Sequence, residues 1–314
     1  MRVQTDGENR GDGLKYRPLM TRARSIAVLV FGILSCSVSP VLIRLSAMPP
    51  VWLTSARLAI AAAALLPLWV AAVRAHPGAS LRAARQAILP GVMLALHFVT
   101  WIAGVRLVPL AHSSLIVNLS PVVMPFFMYS LIRERVRPGE WAGIGLAALG
   151  LGGLAWADAR GSGPPVMGDL VCFISMIFMT AYLALGRRNR DIASPWLYVV
   201  PLYAVASAVC LPWARLDAGP PPPSWGREVL CILGLGLIPT VLGHSSLLVA
   251  VRWIGAQTVS LVNLVQFILA ALWGYALFRE VPGAAFYPAG ALMLTGAVVA
   301  LLSSGRVRLY GNRS

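Results

Sequence analysis

Apolar runs long enough to cross a bilayer follow one another from residue 25 almost to the end of the chain. A helix needs about 20 mostly apolar residues to span the hydrocarbon, because lipid offers no partner to an unpaired backbone amide or carbonyl. Ten segments meet this condition: 25–43, 51–73, 87–105, 110–132, 140–157, 170–186, 195–214, 229–249, 255–278 and 283–303. Polar or Pro/Gly-rich breaks part most of them, including Arg44 with Pro49-Pro50, His76-Pro77-Gly78, Asp158–Gly168, Arg187–Ser194 and Asp217–Glu228 with its four consecutive prolines. The weakest break surrounds Arg252. The expected fold is an all-α polytopic membrane protein of ten transmembrane helices, flanked by the polar tails 1–24 and 304–314. The first apolar run is longer than a signal-peptide core and reads as an uncleaved first helix.

Only 12% of the residues are charged, about half the share in a soluble domain. A net charge of +15 does not point to nucleic acid, whose binders cluster basic residues with aromatics on a soluble face. Here the arginines occupy the gaps between apolar runs. Most fall in the N-terminal tail, in the even-numbered loops (Arg74, Arg82, Arg85; Arg133, Arg135, Arg137; Arg187, Arg188, Arg190; Arg252) and in the C-terminal tail. The odd-numbered loops carry only Arg44, Arg106, Arg160, Arg215, Arg227 and Arg279. Cytoplasmic loops gather Lys and Arg, so both termini are expected in the cytoplasm and the chain in the inner (plasma) membrane. Cys36, Cys172, Cys210 and Cys231 all lie in apolar runs without metal-ligand spacing, and read as small packing residues. No cofactor and no metal site is expected.

The sequence repeats itself at an offset of 146. Arg106 matches Arg252, Ser114-Leu115 matches Ser260-Leu261, Tyr129 matches Tyr275, Arg133-Glu134 matches Arg279-Glu280, and Gly150 matches Gly296. The chain therefore reads as two halves of five spans. Five is odd, so the second half must enter the membrane the opposite way. Inverted repeats recur in transporters, with the site near the midplane between the halves.

With these features the chain resembles the drug/metabolite transporter superfamily, in the group built from two EamA domains. The likeness rests on the ten spans in two halves, Arg57 within span two, Pro121 followed by Glu134, and Arg133-Glu134 before a glycine-rich span. Arg279-Glu280 repeats that pattern, and Gly168-Asp169-Leu170 opens the second domain. It implies a first repeat over 25–157, a linker over 158–169 and a second repeat over 170–303. It also implies a central cavity lined by spans one to four and six to nine, with five and ten peripheral, and export or exchange of amino acids, sugars or related solutes. One position departs from the pattern: Phe267 stands where many relatives carry proline, which speaks against a symmetric pair of kinked helices.

Polar residues inside a span need a partner, a cavity or an interface. Arg57 either snorkels towards the headgroups or a helix-end carbonyl, or faces the cavity and attracts a carboxylate or phosphate. His97 and Trp101 share one helical face, either as a buried hydrogen bond beside a packing ring or as cavity lining. His244 occupies nearly the equivalent place in span eight. Ser114 and Asn118 form a stripe in span four ahead of Pro121 and Pro125; Ser260, Asn263 and Gln266 form one in span nine. Both stripes suit interhelical glue or cavity lining. Tyr182 in span six is a weaker candidate, as are Ser35, Ser37 and Ser39. Gly143, Gly145, Gly150, Gly152 and Gly153 in span five read as close-packing positions. No Asp or Glu lies deep in a span, so proton coupling would fall to His97 or His244.

The best-supported function is a secondary transporter of a small polar metabolite such as an amino acid, working by alternating access, with the bilayer as its other partner and self-association into a homodimer left open. A channel or scaffold is the second reading, though charged rings and filter loops are missing. A membrane-embedded enzyme is the third; the sequence shows no HExxH, no GxSxG and no His/Asp cluster.

Overall fold

The structure, a computed structural model, describes residues 22–133, 138–162, 166–216, 224–254 and 256–303. Glu134, the four-proline run and nearly all of both tails lie outside the described residues. Eight helices among them are long and apolar enough to cross a membrane: Arg24–Leu45, Pro50–Ala75, Pro77–Leu107, Leu110–Leu131, Pro138–Arg160, Val166–Arg188, Trp196–Leu216 and Trp225–Trp253. The ninth expected span is Ala256–Asn263 followed by Gln266–Phe278, and the tenth is Phe286–Ser303. Phe31, Leu66, Leu149 and Leu272 are exposed, as a lipid-facing belt requires.

The way the helices pack bears out the repeat. Span five packs on ten, span two on seven, and span four on nine. Span three packs on six and seven, and its counterpart, span eight, packs on one and two. Matching residues do matching work at opposite ends of the bundle. Arg106, ending span three, donates to the carbonyls of Ser46 (3.0 Å) and Met48 (2.7 Å) between spans one and two. Arg252, ending span eight, donates to the Ile192 carbonyl between spans six and seven. Arg133 and Arg279 close the helices of spans four and nine in the left-handed conformation, at φ 60° and 56°. Non-glycine residues rarely adopt it, and both halves use it at the same place.

Among the described residues, three spans are interrupted. Span one breaks at Val38 between Arg22–Ser37 and Ser39–Leu45. Span four breaks at Asn118-Leu119 between Leu110–Val117 and Ser120–Ile132. There Pro121 and Pro125 remove backbone donors, and Asn118 Nδ2 donates to the Ser114 carbonyl at 2.8 Å. Span nine breaks at Leu264-Val265 although it has Phe267 in place of proline. Its amides turn back to carbonyls three residues earlier, as Phe267 N does to Leu264 O (3.1 Å). The pair of interrupted helices is thus present in both halves, by proline in one and by a tightened turn in the other. Span eight widens into a π-helical stretch, Gly236–His244, around Pro239.

The glycines of span five divide by face. A Cβ on Gly143 would meet the Gly296 carbonyl and Ala300, and one on Gly150 would meet the Ala289 carbonyl and Met293. These two, a heptad apart, form the close contact with span ten. Gly145, Gly152 and Gly153 have open space where a Cβ would stand. The expectation that all five pack closely is corrected accordingly, since they do not share one helical face. All four cysteines are buried and free.

Candidate functional site

The interruptions in spans one, four and nine meet the middle of spans three, six and eight around a small central cavity. Cys36, Ser39, His97, Trp101, Val117, Asn118, Met179, His244, Leu247, Asn263 and Gln266 line it. Its volume is about 30 Å³, room for roughly one or two waters. Spans two and seven, expected to line the cavity, contribute no lining side chain. They pack on each other instead, through Ser55 and Ser207, whose hydroxyls each donate to the other's carbonyl at 3.1 and 2.9 Å.

Each side of the cavity carries a distinct chemistry. On one side His97 stacks beside Trp101, ring centroids 6.5 Å apart and planes 13° from parallel. Its Nδ1 lies 2.9 Å from the Ser175 hydroxyl and 3.1 Å from the Ser175 carbonyl. His244 lies 6.1 Å from the His97 ring and packs edge-on against Phe98. Its Nδ1 is buried and has no hydrogen-bond partner among the described residues. On the other side the amides form a chain: Asn263 Nδ2 donates to Asn118 Oδ1 at 2.6 Å, and Gln266 Nε2 donates to Asn263 Oδ1. This chain joins the two repeats directly.

Arg57 sits one layer behind. It is completely buried, so it does not snorkel. Its Nε and Nη2 both donate to the Thr240 hydroxyl, at 3.0 and 2.9 Å, and its guanidinium lies 4.0 Å over the Phe98 ring. Nη1 reaches the cavity-lining Ser39 hydroxyl at 3.5 Å. No carboxylate contacts it among the described residues. A buried charge without a counter-charge is costly unless hydrogen bonds and polarisable rings take up the field.

Of the residues singled out in the sequence, His97, Trp101, Asn118, His244, Asn263 and Gln266 come together on the cavity, and Arg57 lies behind Ser39. Ser114, Tyr182 and Ser260 are buried but do not line it. Tyr182 presents its ring to His244 at 6.1 Å. Sequence reasoning did not find Thr240 or Ser175, which hold Arg57 and His97. Small hydroxyl residues give no signal until the fold shows what they touch. It also missed a His/Asp cluster, and the statement that none exists is corrected. His112 Nε2 lies 3.2 Å from Asp158 Oδ2 and 3.2 Å from Asp169 Oδ1. The three come from different helix ends, so no spacing announces them.

Two inverted five-helix halves closing over a polar centre define a membrane transporter fold rather than a catalytic domain. The chain belongs to the EamA-like transporter family, whose model matches residues 23–156 and again 166–302. It is similar to the pseudopaline exporter of Pseudomonas aeruginosa, 24% identical over 67% of this chain and 72% of that protein. An uncharacterized transporter of Archaeoglobus fulgidus is 24% identical over 64% of this chain and 70% of its own length. A solved crystal structure shares the fold with a TM-score of 0.62 at 23% identity, covering 92% of this chain and 100% of the other.

Proposed function

We propose that this transporter exports a small amino-acid-like metabolite bearing a carboxylate, by alternating access across the cytoplasmic membrane. The observation that carries the reading is Arg57: a fully buried guanidinium with no carboxylate partner among the described residues, one hydroxyl removed from the cavity. A substrate carboxylate received near Ser39 supplies the missing counter-charge. The free Nδ1 of His244 and the Trp101 ring offer a hydrogen bond and a stacking surface to the rest of the solute. Export is favoured by the similarity to an exporter. The arginine bias favours cytoplasmic termini, which puts Arg44, Arg106 and Glu280 at the outer end.

Transport needs the amide chain between spans four and nine to part, since a cavity of about 30 Å³ cannot hold a metabolite. Interrupted helices suit that step, because their midpoints already lack regular backbone pairing. The test is counterflow in proteoliposomes loaded in turn with amino acids, sugars and nucleosides. Saturable exchange competed by carboxylate-bearing solutes is expected. Non-saturating conductance, or exchange only of solutes without a carboxylate, overturns the proposal.

A further inference from the structure

The cluster of His112, Asp158 and Asp169 belongs to no part of the transport cavity. His112 stands in the first turn of span four, Asp158 where span five passes into the π-helical turn Asp158–Ser162, and Asp169 in the first turn of span six. All three are buried, at 3%, 7% and 4% exposure. Their donor atoms lie within 4.8 Å of one another. Neither carboxylate oxygen of Asp169 has a hydrogen-bond partner among the described residues, and the same holds for Asp158 Oδ2. The imidazole can direct only one N–H from Nε2, yet that nitrogen is equidistant from two carboxylates.

The charges do not balance as they stand. With both carboxylates ionised, one imidazole leaves a net negative charge whether or not the ring is protonated, and burial makes that uncompensated charge expensive. Arg160, the cation next in sequence, is exposed and lies 4.6 Å over the Trp156 ring instead. A dication with a neutral imidazole would bring the set to zero. The spacing suits it as well. Ligand bonds of about 2.0–2.1 Å in a tetrahedral site put neighbouring donors roughly 3.3 Å apart, and both imidazole-to-carboxylate distances here are 3.2 Å. One nitrogen with two oxygens fits zinc and its first-row neighbours better than calcium or magnesium, which take oxygen.

We propose that His112, Asp158 and Asp169 bind a first-row divalent cation of the zinc class, with a fourth position left to water. The ion fastens the start of span four, the end of span five and the start of span six, at the junction of the two repeats. The site is structural and does not depend on the identity of the transported solute.

The test uses the full-length protein in detergent, carrying a streptavidin-binding tag rather than a histidine tag, stripped with chelator and then given ZnCl₂. After desalting, close to one zinc per chain is expected by elemental analysis. H112A and D169N should bind zinc at least roughly tenfold more weakly, whereas H76A, which alters an exposed histidine outside the cluster, should bind it unchanged. Wild-type protein that retains no zinc overturns the proposal, as does equal retention by H112A and D169N. Cobalt(II) loading of the wild-type protein gives a reading that no variant's folding can obscure: visible absorption of a tetrahedral nitrogen and oxygen site is expected, and its absence overturns the proposal.

Discussion

Two of the seams between the halves of this chain pair a helix with its own repeat, one at the centre and one at the periphery. At the centre spans four and nine touch through amides, Asn263 to Asn118 and Gln266 to Asn263. At the periphery spans five and ten touch through glycine set against backbone, Gly143 on Gly296 and Gly150 on Ala289. In lipid neither contact gains from hydrophobic burial between helices, so each relies on packing or on hydrogen bonds. Hydrogen-bonded amides can exchange one partner for another, including a solute. Backbone packed on glycine has no alternative partner. One duplication thus produced a seam suited to opening and a seam suited to staying shut.

The most damaging way to break this contrast is at the centre. Arg57→Leu should lower proteoliposome flux about 100-fold, since hydrogen bonds to charged groups are worth about 1.5–3 kcal/mol each, with membrane insertion unchanged by protease protection. Flux within threefold of wild type would remove Arg57 from the mechanism. Next comes the periphery. Gly143→Ala should destabilise the protein by about 1–3 kcal/mol, as overpacking does, read as a lower thermal midpoint in detergent. An unchanged midpoint would mean that the five-ten seam yields as readily as the central one. Asn263→Ala should then lower flux at least about fivefold, because it removes both the bond to Asn118 and the bond from Gln266, each worth about 1 kcal/mol. Asn118→Ala should also lower flux, and the double variant should lose less than the two single losses combined, because both remove the Asn263–Asn118 bond. Additive losses would contradict a shared contact. Smallest is Gly145→Ala, two residues from the damaging position but facing open space; its midpoint should stay within the effect of about 0.5 kcal/mol usual for exposed sites.

The sequence made some of these elements plain and hid others for physical reasons. Spans are legible because lipid demands about 20 apolar residues at a stretch, and the offset that pairs Arg106 with Arg252 survives to place both on loop carbonyls. The cavity residues were found where polarity is rare, as with His97, Asn118 and Asn263. Which atom meets which was not legible: Ser114 and Ser260 are as polar in sequence as Asn118, yet the helices turn them away from the cavity. Glycine faces were lost because one residue type serves both lipid exposure and close packing. The kink in span nine was hidden because Phe267 removes the usual marker while the backbone still tightens. His112, Asp158 and Asp169 were invisible because only the folded helix ends bring them together.

The smallness of the central chamber has a consequence for the cell's energy supply. A pore that held a thread of water from face to face would let protons slip down their gradient whenever no solute was aboard. In the conformer described here the centre holds a volume of about 30 Å³, walled by Trp101, His97 and the amide chain. A chamber of that size holds roughly one or two waters, so an idle molecule in this shape is expected to pass protons no faster than bare lipid, which a pH-sensitive dye in substrate-free proteoliposomes would read.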